Sequence, residues 1–294
     1  MRYIAVISYF GANYVGWQRQ LNGLSVQEVL EKALSKALGQ DVQATASGRT
    51  DAGVHALAQV VHFDADTSVP TDKIPFAVNA YLPSDVSVLS CEVAPEGFHA
   101  RFQAKRKTYC YKLYLSRHRR PILEQTHEHI LVPLDFSAMR AAADEIEGEH
   151  DFKCFEATGS IIKNTVRTVY GVDISVSPLE SIGEVISNNV DKNNECEGTG
   201  NVEAENVKTD CVRIDDEGKG GAMNAKLYDC IVEISVTGNG FLYNMVRIIA
   251  GTLVYAGMGK LSAADVRHAI VLGDRTLAGK TLPAKGLHLV RVVY

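Results

Sequence analysis

The alternation of apolar and polar residues along its strand-like runs constrains this chain more than any other feature. Tyr3 to Tyr9, Ala58 to Phe63, Val86 to Val93, Thr108 to Leu115, Val166 to Val176, Leu227 to Val236 and Leu287 to Val293 read as strands, several with a period of two. A strand patterned this way buries one face only, which suits an antiparallel sheet covered on one side. Between the strands lie helical patterns. Over Ser25 to Leu38, Ser25 and Glu28 offer a capping box, the apolar residues recur with a 3.6-residue period, and Gly39 ends the run. Further helices are expected at Thr71 to Ala80, Ser137 to Glu147, Phe241 to Ala256 and Ser262 to Leu272, the last with Ser262 as N-cap.

Before residue 104 the order is strand, helix, strand, helix, strand, and a similar alternation follows. In 294 residues this predicts two α+β halves, 1–104 and 105–294. Each is expected to be a ferredoxin-like, RNA-recognition-like α/β sandwich with an antiparallel sheet, the two meeting at a central cleft. The second half carries an insertion at 179–220 that is acidic, rich in Asn and Gly and nearly free of aromatics, so an inert, mobile segment is expected there.

The formal net charge of −5 argues against a polyanion partner until its distribution is considered. Residues 179–220 hold eleven acids and four bases, and removing that −7 leaves +2 for the remainder. Between Gly97 and Leu123 stand eight bases (Arg101, Lys105, Arg106, Lys107, Lys112, Arg117, Arg119 and Arg120) and no acid. Binding responds to the potential of a surface rather than to the chain sum. The same stretch interleaves Phe98, Phe102, Tyr109, Tyr111 and Tyr114, and such a mixture holds phosphates while stacking unpaired bases. A solvated edge strand with an aromatic inner face explains the stretch equally. No run reaches the roughly 18 apolar residues of a membrane span, the start carries no signal pattern, and the six cysteines include no C-x-x-C pair. A cytoplasmic protein with reduced thiols and no membrane association is expected.

Two further segments draw attention. In ASGRTDAGVHALAQVVHF, residues 46–63, Gly48 and Gly53 flank Arg49, Thr50 and Asp51 ahead of a strand, a pattern that projects charged side chains from a tight loop. By spacing alone a solvent-facing turn is the better explanation. In TGNGFLYNMVRIIAG, residues 237–251, Arg247 interrupts an apolar run and must either snorkel or pair with a carboxylate.

Together these segments resemble the tRNA pseudouridine synthase A family. The resemblance is carried by GANYVGWQRQ (11–20), SVQE (25–28), SGRTDAGVHA (47–56), QVVHF (59–63), FHARF (98–102), KTYCY (107–111), FLYNMVRIIAG (241–251) and GLHLVRVVY (286–294). It implies isomerisation of uridine to pseudouridine at positions 38, 39 and 40 of the tRNA anticodon stem-loop, without metal or organic cofactor, by a homodimer. It further implies that Asp51 is the catalytic aspartate, that Arg247 is its buried partner, that Tyr109 stacks on the target uracil and that Arg49 holds the nucleotide out of the helix. A base must leave its stack before it can rotate. Arg101, Lys105, Arg106, Lys107, Arg117, Arg119 and Arg120 are then expected to contact the tRNA backbone.

Three rival patterns are weaker. HFDADTS, residues 62–68, with VRIDD near 212, fits haloacid-dehalogenase-like phosphatases and would make Asp64 a phosphoryl acceptor and Asp66 an acid and base, but repeated parallel βα units are missing. AGMGKLS, 256–262, lacks the first glycine of a phosphate loop and reads better as a helix ending at Gly257. His127 and His129 could begin a metal site but have no third ligand nearby and are expected at the surface. A non-catalytic RNA-binding module shares the basic and aromatic features, though it has no use for Asp51.

Overall fold

The computed structural model describes residues 1–159, 163–179, 212–213 and 229–294. The acidic segment lies almost wholly outside them, as does the acid pair of VRIDD. Strands β1 (Arg2–Tyr9), β2 (Ala44–Ala46), β3 (His55–Asp64), β4 (Val86–Val93), β5 (Arg106–Leu115), β6 (Glu128–Ile130), β7 (Gly148–Asp151), β8 (Val166–Pro178), β9 (Val212–Arg213), β10 (Cys230–Gly238) and β11 (Leu287–Val293) form a mixed α/β structure with helices. The α-helices are α1 (Val26–Leu38), α2 (Ile74–Asn79), α3 (Phe136–Asp144), α4 (Met245–Gly257) and α5 (Ala263–Leu272).

Burial along β1 and β10 alternates residue by residue, as their sequence pattern requires. The sheet is mostly antiparallel, in the order β4-β1-β3-β11-β5-β10-β8-β7, with β2, β6 and β9 as side branches. The strands are therefore hydrogen-bonded into one sheet rather than two. The joint is β11, which pairs antiparallel with β5 and parallel with β3 through His288–His55 and Leu289–Ala56. Imidazoles secure that joint. His55 Nδ1 accepts the Gly11 N–H at 3.0 Å, so its Nε2 carries the proton and donates towards the carbonyls of Gln125 and Lys285, both at 3.0 Å. The ring stacks on His288 at 4.7 Å, and burial holds both imidazoles below their usual pKa.

Helix α1 starts at Ser25, whose Oγ accepts the Glu28 N–H, and ends at Gly39 in the left-handed region. Its capping box is half made, because the Glu28 carboxylate turns to Lys32. The reciprocal box forms instead at α5, between Ser262 and Asp265. Thr71–Lys73 winds as a 3₁₀ turn ahead of α2, where Pro75 favours a helix start. Helix α4 ends at Gly257 as its sequence suggests, but begins at Met245 rather than Phe241. Among the described residues no helix is long and apolar enough to cross a membrane.

Candidate active site

A cleft of about 590 Å³ opens where the loop before β3, the start of β5 and the turn into α4 converge. Asp51, Arg49, Arg101, Lys107, Tyr109 and Asn244 line it. Residues separated by nearly 200 positions in the chain thus meet at one place.

The loop from Ser47 to Asp51 is held by its backbone. Trp17 N–H donates to the Thr50 carbonyl at 3.0 Å, and Tyr9 and Thr50 hydroxyls share a 2.7 Å hydrogen bond. Gln59 donates to the Gly48 carbonyl at 2.9 Å and accepts from the Ser47 hydroxyl at 2.5 Å. This explains the glycines of GANYVG, for which spacing gave no role. A Cβ on Gly11 would lie 1.9 Å from the Val54 carbonyl oxygen, and one on Gly16, at φ +103°, would lie 2.5 Å from that of Thr50. Only glycine lets these backbones meet so closely.

Arg247 does not snorkel. Its Nη1 stands 3.9 Å from Asp51 Oδ2, its Nε donates to the Leu282 carbonyl at 2.7 Å, and Nη1 also donates to Asn244 Oδ1 at 2.5 Å. Asn244 sits at φ 59°, in the left-handed region, immediately before α4. Asparagine tolerates that conformation better than most residues, and here it stops the helix early and turns an acceptor towards the guanidinium. Sequence reasoning missed Asn244; its place three residues before a buried arginine was the available signal.

Burial raises the Asp51 pKa and the Arg247 charge lowers it, and burial prevails. The carboxyl group is therefore more basic than an exposed aspartate. Tyr109 is buried against Phe241, the rings edge to face at 5.3 Å, and burial first, then Tyr9 and Asp51, keep its hydroxyl protonated.

The basic residues divide. Arg49, Arg101, Lys105, Arg106, Arg117 and Arg119 are exposed, with the Arg106 guanidinium 4.6 Å above the Tyr170 ring. Arg120 is partly buried and lies 3.5 Å from Asp229. Lys107 departs from its neighbours: it points into the cleft and donates to the Ser47 carbonyl at 2.6 Å. Burial, and secondarily Arg101, push its pKa down to about 8. It is a clamp on the Asp51 loop. Replacing Lys107 by Met removes that donor while keeping the length of the chain, and should slow single-turnover product formation about 10–100-fold with a smaller change in substrate affinity. Equal losses in rate and affinity across a salt series would instead identify a phosphate contact.

The residues of the rival patterns are not among those that line the cleft. Arg2 grips Asp64 through Nε at 2.9 Å and Nη2 at 2.8 Å, on a strand whose long pairing is antiparallel, and the Asp66 backbone N–H donates to Gln40 Oε1 at 3.1 Å. His127 is buried, not superficial, bonds to Thr126 and has its pKa pushed down to about 4. His129 pairs with the Ser116 carbonyl and stacks on Tyr114.

Comparison with known proteins converges on one group. The family model described as tRNA pseudouridine synthase matches residues 5–103 and 142–294. A tRNA pseudouridine synthase A of Ruminiclostridium cellulolyticum is 42% identical over 288 residues, 98% of this chain and 97% of that protein. Proteins of the same name from Thermoanaerobacter sp. and Bacillus licheniformis are 37% and 36% identical, each over at least 98% of both chains.

Proposed function

The chain belongs to the tRNA pseudouridine synthase family, and from that premise we propose that it isomerises uridine to pseudouridine in the anticodon stem-loop of tRNA, at positions 38, 39 and 40. The observation that carries this reading is the cleft itself, in which a half-buried carboxyl, a cation and an aromatic face surround a space large enough for one nucleoside.

The reaction conserves composition. The N1–C1′ bond breaks, the uracil turns, C5 bonds to C1′, C5 gives up its proton and N1 gains one, so no redox partner is consumed. Asp51 acts on the nucleoside as the glycosidic bond breaks, and for that it must be ionised. Arg247 supplies the opposing charge that keeps the ionised form accessible despite burial. Tyr109 presents its ring to the target uracil. Arg49, exposed at the rim, fills the place of the extruded nucleotide. Arg101 at the rim of the cleft, and Lys105, Arg106, Arg117, Arg119 and Arg120 beyond it, hold phosphates. Two ferredoxin-like halves, 1–104 and 105–294, fit this arrangement, since the cleft draws on both. In this reading the enzyme is a cytoplasmic homodimer.

Incubation of the purified protein with unmodified uridine-containing tRNA, followed by base-resolved pseudouridine mapping, tests the proposal. Pseudouridine in the anticodon stem-loop is expected. Tight tRNA binding with no product would leave an RNA-binding module and sink the enzyme.

A further inference from the structure

The segment Phe98–Phe102 is pinned from several sides. Arg2 Nη1 donates to the Phe98 carbonyl at 2.8 Å, Tyr294 Oη donates to the Ala100 carbonyl at 2.7 Å, and the Ala100 N–H reaches His62 Nδ1 at 3.2 Å. Phe98 and Ala100 are buried, whereas Arg101 and Phe102 face outwards. His99 Nδ1 accepts the N–H groups of both Arg101 and Phe102, at 3.2 and 3.4 Å. On that imidazole the Phe102 ring stacks at 4.2 Å, its planes within 30°. Phe102 is nevertheless 77% exposed. One ring face is thus supported and the other is bare.

A phenyl ring held rigid and left in water offers a face to a partner, and the charge around it selects which. Arg101, Lys105 and Arg106 surround it in sequence, with no acid between Gly97 and Leu123. A second copy of this chain meeting the same patch about a two-fold axis would set those cations against each other. A polyanion with unpaired bases has no such conflict. Arg49 and Arg101 also line both the reaction cleft and a smaller cavity of about 240 Å³ beside it, so the rim next to Phe102 continues from where the target nucleotide enters.

We infer that Phe102, backed by His99, is a stacking platform for one unpaired nucleobase of the RNA outside the reaction cleft. The inference rests on the proposed RNA substrate and assigns it a second base contact. It requires the full chain, a tRNA transcript and the isolated anticodon stem-loop, with affinity measured by fluorescence anisotropy across a salt series and product by pseudouridine mapping. Phe102→Ala should weaken binding about tenfold, the size of one base stack, and lower kcat/KM by the same factor. Phe102→Trp should restore both, and Phe102→Leu should not. The log-log salt slope should stay at the wild-type value in Phe102→Ala, whereas Arg101→Ala should flatten it by about 0.7–0.9. Phe76→Ala, which removes a phenyl exposed to a similar degree on α2, should leave affinity unchanged. Wild-type affinity in Phe102→Leu overturns the platform, as does a changed sedimentation coefficient with retained affinity, which would mark a contact between copies. If wild-type protein forms no pseudouridine while Phe102→Ala still loses affinity, the isomerase reading falls and the platform stands.

Discussion

Asp51→Asn should abolish turnover, with kcat reduced more than about 10³-fold while tRNA affinity stays near the wild-type value. The amide keeps the shape of the carboxyl and loses its charge and basicity. Arg247 should stay seated without its counter-ion, because Leu282 and Asn244 hold it independently. The same substitution has a second expected consequence, on stability. In the folded protein the Asp51 pKa is raised, so folding favours the protonated form and the ionised form costs stability. That cost is present above the folded pKa and disappears below the ordinary aspartate value of about 3.9. Asp51→Asn should therefore melt above the wild type at neutral pH, with the gap closing as pH falls. Loss of activity together with a lower melting temperature at neutral pH would point to a structural aspartate. Near-native product formation by the variant would remove Asp51 from the chemistry altogether.

How much of this was legible in the sequence depended on the range of the interaction that fixes each feature. Caps and periodicity are local, and α1, α5 and the ends of β4 and β11 lie where Ser25, Gly39, Ser262 and the period-two runs indicate. The half-made box at Ser25 shows a local rule losing to another local partner, Lys32. Long-range pairing left no such trace. Nothing near His55 announces that the C-terminal strand will lie beside it, so one continuous sheet was not foreseeable from the order of elements. Lys107 looked like seven other bases. Its difference was nonetheless encoded: in a strand, residues two apart share a face, and Tyr109 faces the cleft. Asn244 was hidden inside a run that reads as helix, because a single left-handed residue leaves no periodic signature.

Arg247→Met tests whether the cation beside Asp51 serves the carboxyl group or only fills space. The methionine occupies part of the same volume, leaving the Leu282 carbonyl and Asn244 Oδ1 without that donor, so the protein should fold but lose about 1–3 kcal/mol of stability. The kinetic consequence is larger. Burial already raises the Asp51 pKa, and Arg247 is the charge that opposes it. An opposite charge at this range lowers a carboxyl pKa, so its removal should carry the acid limb of the kcat/KM profile to higher pH. Wild-type activity should itself fail on the acid side at a higher pH than an unperturbed aspartate would dictate, and the variant at a higher pH still. At neutral pH the loss should reach about 10–10³-fold, with partial recovery as pH rises and Asp51 ionises without help. Arg247→Lys separates the two roles of the guanidinium. A lysine restores a positive charge but cannot reproduce the planar fork that reaches Leu282, Asn244 and Asp51 together. It should return the acid limb towards its original position and leave the maximal rate low, because the carboxyl is then ionised but poorly aimed. An Arg247→Met profile that overlays the wild type would show that Asp51 titrates without regard to the arginine, and the 3.9 Å pair would be an incidental neighbour of the reaction.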